Sequence, residues 1–157
     1  KRIEAEMKRL VDATPQLKRD IELLSSIYGV GFIVAVVIIA ELGDLRRFHK
    51  ARQLAAFAGI SPRIYQSGTS VTGRPRMCKK GNPRVRQVLY LSALATVRGR
   101  NDLQRTYQRL LNEGKPPMAA IGAVMRKLLI LMRALLISEK TYHPDWKLRG
   151  ELQPIRE

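Results

Sequence analysis

Ser67 lies in the run Tyr65-Gln66-Ser67-Gly68, within a segment that also holds Arg63, Arg74, Arg76, Lys79 and Lys80. A serine hydroxyl is a weak nucleophile until a base, nearby cations or a metal activates it. Cations packed around it could hold a phosphodiester and stabilise the extra charge of its transition state, which is the chemistry of phosphoryl transfer. By composition alone, a serine in a loop is more often a turn former. Local chemistry leaves both readings open.

The second candidate is Gly29-Val30-Gly31, between two helical patterns, with Ala35 four residues further on. This is the pattern of a helix-hairpin-helix, in which glycines let the backbone approach closely. Amides at the next helix N-terminus can then bind a DNA phosphate without reading sequence. A plain tight turn between core helices fits the same residues. Metal chemistry has no support: His49 and His143 are isolated, and the acids form no spacing suited to a two-metal cluster. Glu41 and Asp44 flank Gly43 at a helix end, where capping accounts for them.

The charge is strongly localised. The 157 residues carry 29 Lys plus Arg against 13 Asp plus Glu, a formal net charge of +16. Thirteen of the bases, and no acid, fall between Leu45 and Asn101: Arg46, Arg47, Lys50, Arg52, Arg63, Arg74, Arg76, Lys79, Lys80, Arg84, Arg86, Arg98 and Arg100. Soluble surfaces normally mix both signs. Neutralising phosphates, with release of their counterions, is the physical use of such a block, so a nucleic acid is the expected partner.

Length and composition fit one folded domain with a helical extension, since a chain of this size buries ~70% of its unfolded surface. The apolar content of 45% excludes wholesale disorder. Cys78 is the single cysteine, which rules out an internal disulfide and a thiolate zinc site and points to a reducing, intracellular setting. The longest apolar run, Phe32 to Ala40, is about half of what a membrane helix needs. It reads as a buried helix. The chain opens on the charged, amphipathic KRIEAEMKRL without a methionine, in the middle of a helical pattern, as a fragment or processed piece would.

The elements that must position these residues are helical. Ile3, Met7, Leu10 and Val11 have the spacing of the end of a coiled-coil or hairpin arm, placed at 1–22. After Pro15, the residues Leu17, Ile21, Leu24 and Ile27 predict a second helix, and 21–42 would form the helix-hairpin-helix. Asp44 could cap a short turn, and Ala51 to Ala58 predicts a further helix closed at Gly59. Residues 60–82 lose all helical period and predict a long loop or irregular hairpin. Asn82-Pro83 is a cap and first turn for a helix over about 83–97, with Val85, Val88, Leu89 and Leu91 as apolar contacts. Helices over about 102–112 and 118–137 follow, the second striped by Ile121, Val124, Met125, Leu128, Met132 and Leu135. The domain is placed at 23–138, and 139–157 is a polar, loosely held tail from Tyr142 onward. The fold class is all-α.

Two linked stretches, IYGVGFIVAVVIIAELGDLRRFHKARQLAAFAG and FAGISPRIYQSGTSVTGRPRMCKKGNPRVRQVLYLSALA, carry a specific resemblance. From about Leu24 to Leu136 the chain resembles the C-terminal transposase domain of the DEDD insertion-sequence transposases (the IS one-ten and IS eleven-eleven group). The GVG hairpin, the RRFHKARQLAAFAG helix, the YQSG loop, the KKGN element and a late helix with Arg126 and Lys127 come in the family's order.

The resemblance implies a DNA transposase or site-specific recombinase. An N-terminal RuvC-like domain, absent from this chain, would bind Mg2+ through four acids. Ser67 would form a covalent phosphoserine link to DNA, with Arg63, Arg74, Arg76, Lys79 and Lys80 around the phosphates. Arg84 and Arg86, together with Gly29 and Gly31, complete the expected nucleic-acid contacts. It further implies a guide RNA encoded by the element, a homo-oligomer on DNA, no membrane, and a bacterial or archaeal cytoplasm. This chain by itself would bind nucleic acid without completing the reaction. Two departures stand out: Cys78, a small packing residue in place of the expected serine, and Tyr28 in place of a proline before the hairpin glycine. The rival reading is a non-enzymatic helical module that binds DNA or RNA, in which Ser67 merely shapes a turn.

Overall fold

The computed structural model describes residues 2–63, 66–67, 71–72, 76–77 and 81–144, and within 62–80 it describes the main chain only. Helices dominate, as the apolar periodicity predicts. They are α1 (Arg2–Asp12), α2 (Pro15–Ser25), α3 (Phe32–Leu42), α4 (Ala51–Phe57), α5 (Pro83–Thr96), α6 (Asp102–Asn112) and α7 (Pro117–Ser138), with a 3-10 turn at Leu45–Arg47. Four two-residue strands lie between α4 and α5: β1 (Pro62–Arg63), β2 (Gln66–Ser67), β3 (Val71–Thr72) and β4 (Arg76–Met77).

The starts of the helices follow their local chemistry. Proline stands at the first position of α2, α5 and α7, where a missing N–H costs nothing. Asn82 caps α5 by accepting from the Arg84 amide at 2.9 Å, and Asn101 caps α6 by accepting from Gln104 at 2.8 Å. Asp44 caps the 3-10 turn, accepting from the Arg46 amide at 3.0 Å.

The core is built around α7, which packs against α2, α4, α5, α6 and the 3-10 turn. Its predicted stripe is buried throughout, and Leu129, Leu131 and Leu136 are buried as well. Apolar burial on more than one face is what a helix enclosed by several neighbours requires. The second layer pairs α3 with α5, and α2 packs against both α3 and α7. α1 lies on α2 through Val11, and it leaves Ile3 and Leu10 exposed. Among the described residues, no helix is long and apolar enough to cross a membrane.

Three expectations need correction. The apolar run predicts a buried α3, but only its Ala35–Ile38–Leu42 face is fully enclosed, and Ile33 is 41% exposed. Uniform hydropathy does not say how many neighbours surround a helix. Leu91, predicted as an apolar contact of α5, faces solvent at 56% exposure. Tyr142 is not the start of a loose tail. It is buried, its amide donates to Ser26 Oγ at 2.9 Å, and its hydroxyl donates to Asp102 Oδ1 at 2.5 Å. Burial, with the Asp102 carboxylate, pushes the phenol well above its ordinary pKa and keeps it a donor.

Candidate nucleic-acid interface

The segment predicted as a loop or irregular hairpin is a hairpin. β1 pairs antiparallel with β4, Pro62 opposite Met77 and Arg63 opposite Arg76. β2 pairs antiparallel with β3, Gln66 opposite Thr72 and Ser67 opposite Val71. The register puts Ser67 in the last pair before the tip, three residues from its partner strand. The main chains of Arg63 and Arg76 face each other nearer the base. The side chains of Ser67, Arg63 and Arg76, and all of Arg74, Cys78, Lys79 and Lys80, lie outside the described residues.

At its base the hairpin joins the helical body through a crossing of two glycines. Gly59 has φ +72, and a Cβ on it would collide with the Gly81 backbone; a Cβ on Gly81 would collide with Ala58 and Gly59. Only residues without a side chain let two backbones meet this closely. Arg86 donates to the Gly81 carbonyl at 2.5 Å. Glu41, at the end of α3, accepts from the Asn82 amide group and, at 3.2 Å, from Arg84. Arg126 of α7 reaches Ser61 Oγ at 3.5 Å. Arg84 and Arg86, both expected at the nucleic acid, therefore stand together at this neck, with Arg84 exposed and Arg86 half-buried. The sequence places Glu41 at a helix end, where capping would account for it. Its actual partners lie 41 and 43 residues away, and no local signal could have found them.

Two residues of the basic block, Arg46 and Arg47, serve folding instead, as does Arg133 outside it. Arg46 makes a two-pronged ion pair with Asp20 on α2, at 2.7 and 3.0 Å, and donates to the Leu136 carbonyl at 3.0 Å. Asp20, held also by Gln16 at 2.9 Å, keeps the guanidinium above its ordinary pKa. Arg47 donates to the Leu42 carbonyl at 2.9 Å and lies over the rings of Phe48 and Phe57, 4.7 and 5.2 Å from their centroids. Arg133 of α7 donates to the carbonyls of Phe48 and His49, and burial lowers its pKa. Charge counting cannot separate such arginines from those left for a ligand.

Gly29 and Gly31 lie at the opposite end of the α3–α5 pair. Gly29 has φ +87, and a Cβ there would sit 2.6 Å from Thr96 Oγ1 and 2.9 Å from the Ser92 carbonyl. Thr96 Oγ1 donates to the Tyr28 carbonyl at 2.8 Å, which fixes the turn on the end of α5. Gly31 is exposed at the N-cap of α3, and a Cβ there would meet nothing within 4 Å. The turn lines an open pocket of about 710 Å³ together with Ser25, Ser26, Tyr142 and Pro144. Since α5 has 14 residues, the turn and the hairpin neck are ~20 Å apart along it. Among the described residues, no group of three or more His, Cys, Asp or Glu could hold a metal ion.

The model of the transposase IS116/IS110/IS902 family matches residues 21–108, more than half of the 157. A pilin gene-inverting protein of Moraxella bovis is 30% identical over 135 residues, covering 85% of this chain and 42% of that protein. The transposase for insertion sequence element IS1111A of Coxiella burnetii is 32% identical over 135 residues, covering 83% and 36%. A 43.6 kDa protein of insertion element IS110 from Streptomyces coelicolor is 30% identical over 134 residues, covering 85% and 32%. The chain thus spans less than half the length of these curated relatives. The matched region holds the glycine turn, the neck, the hairpin and α5, so the motif resemblance is borne out at the level of family. The chain belongs to the transposase IS116/IS110/IS902 family.

Proposed function

We propose that this chain is the DNA-binding, serine-bearing part of an insertion-sequence transposase or recombinase. The observation that carries the reading is the main-chain placement of Ser67 in the closing pair of a hairpin. That hairpin belongs to a 57-residue stretch with thirteen bases and no acid. Ser67 Oγ attacks a DNA phosphorus, the P–O bond to one sugar oxygen breaks, and that oxygen departs as the sugar hydroxyl, taking its proton from water or an acid outside this chain. The link that results is a phosphoserine, which a hydroxyl of a second strand can displace. The proton of Ser67 goes to an acceptor outside this chain.

Arg63, Arg74, Arg76, Lys79 and Lys80 hold the phosphates, Arg84 and Arg86 extend the basic surface to the neck, and Gly31 opens the α3 amides to a phosphate as in a helix-hairpin-helix. The described residues offer no carboxylate cluster for magnesium. The proposal assigns that ion to a RuvC-like acidic domain elsewhere in the polypeptide. The same family likeness extends the proposal to a guide RNA from the element, a homo-oligomer on DNA and the cytoplasm of a bacterium or archaeon.

The test is a denaturant-resistant protein–DNA adduct formed by the polypeptide of full family length with magnesium. Ser67→Ala should abolish the adduct while changing DNA affinity by less than roughly two-fold, because a neutral hydroxyl adds little to phosphate binding. An adduct that survives Ser67→Ala, or none with the unmodified protein, rejects the catalytic role and leaves a non-enzymatic binding module. Lys79→Ala with Lys80→Ala should weaken binding on every DNA sequence and reduce the slope of log affinity against log salt by roughly two.

A further inference from the structure

We propose that Glu41 is a positioning residue that sets the stance of the serine hairpin on the helical body; the proposal rests on the role assigned to Ser67. The hairpin leaves the body through one neck, where Gly59 and Gly81 cross with no room for a side chain. The crossing needs Gly81 to be held in place, and three contacts hold it or its neighbour. Arg86 donates to its carbonyl at 2.5 Å. Asn82 starts α5 by accepting from Arg84 at 2.9 Å, and its remaining amide hydrogens turn to Glu41. Glu41 belongs to the far end of α3, so this hydrogen bond ties the descending leg of the hairpin to a helix of the core.

Glu41 is an acid facing the most basic segment of the chain, and its side chain is 25% exposed. Its ion pair with Arg84 is weak support, since the Arg84 side chain is 78% exposed and such pairs contribute little. The operative contact is the hydrogen bond to Asn82, which is more enclosed. An acceptor is therefore required at position 41, and a full charge is not. Without that acceptor α5 still has its cap, and the helical body still has its core. What is lost is the constraint on where residues 81 and 82 sit, and with it the position of Ser67.

Spin labels at Thr72→Cys in the hairpin and Gln108→Cys on α6, in a Cys78→Ser background, report this stance as a distance distribution. Glu41→Ala should broaden it roughly two-fold, as expected when a local unit is released from the body. Asn82→Asp, which keeps a capping oxygen but puts an acceptor where the donor stood, should do the same. Glu41→Gln keeps an acceptor and should restore the narrow distribution. A loss of global stability alone would not alter the distances measured on folded protein, and Glu113→Ala, at the C-terminal cap of α6, serves as the control.

In the full-length polypeptide, Glu41→Ala should lower the yield of the Ser67–DNA adduct roughly ten-fold with DNA affinity nearly unchanged, as misplacement of a reacting group does. Distances unchanged in both Glu41→Ala and Asn82→Asp overturn the proposal. A distribution as broad in Glu41→Gln as in Glu41→Ala overturns the hydrogen-bond account. Failure of the serine assignment is separable, because it shows as no adduct with the unmodified protein whatever the distances are.

Discussion

Arg46→Ala should lower the stability of this domain by about 3 kcal/mol, at the low end of the range for breaking a buried ion pair. For a chain of this size that is a fall in Tm of roughly 6–12 °C. The reason is what the substitution leaves behind. The Asp20 side chain is only 12% exposed, and it would keep Gln16 alone as a partner. The Leu136 carbonyl near the end of α7 would also lose its donor. Arg46→Lys should recover little, because an ammonium cannot make the two parallel bonds to a carboxylate that a guanidinium makes.

Replacing Arg46 by Met and Asp20 by Leu together should cost less than Arg46→Ala, since no unpaired charge then remains. Urea unfolding measures all four proteins. DNA binding supplies the second readout: the salt slope of Arg46→Ala, measured below its Tm, should match the unmodified chain. A slope reduced by about one would instead place Arg46 on a phosphate.

The two glycines of the α2–α3 turn should respond in opposite ways. Gly29→Ala should destabilise by about 2–4 kcal/mol, combining the strain of a left-handed backbone with a collision against Thr96. Gly31→Asp should leave stability unchanged or raise it slightly, because the position is an open N-cap with φ −88 and aspartate is a good capping residue. On DNA the order reverses. If the α3 amides hold a phosphate, the new carboxylate competes for those donors and repels the ligand, and affinity should drop about ten-fold, or 1.4 kcal/mol. Thermal unfolding and DNA titration of this one variant separate the two accounts of the turn. Unchanged affinity would make it a packing turn only.

Gly29 illustrates why the motif was hard to read. Its conformation and its contact with α5 already explain a glycine there, so its presence carries no information about a ligand. Gly31 has no such structural reason, and it is the more informative of the pair.

The helices were legible because their signals are local. Apolar residues recur at helical spacing along α7, prolines mark first turns, and Asn82 and Asn101 stand where caps are needed. The loss of period after Gly59 marked the hairpin, and the family motifs marked Ser67 within it. What could not be read was which neighbour each side chain meets. Arg46 and Arg84 look alike in a count of charges, yet one is committed to Asp20, 26 residues earlier, and the other stands exposed at the hairpin neck.

Periodicity, caps and composition depend on residues a few positions apart, so the sequence by itself determined the all-α class, the basic segment and the place of the serine. Burial, pairing and backbone crossing depend on residues brought together from distant positions. Only the tertiary structure therefore decided that Leu91 faces solvent, that Tyr142 is enclosed, and that Glu41 meets Asn82 at the base of the hairpin. Contacts of that kind arise when helices pack, and no single stretch of chain encodes both partners.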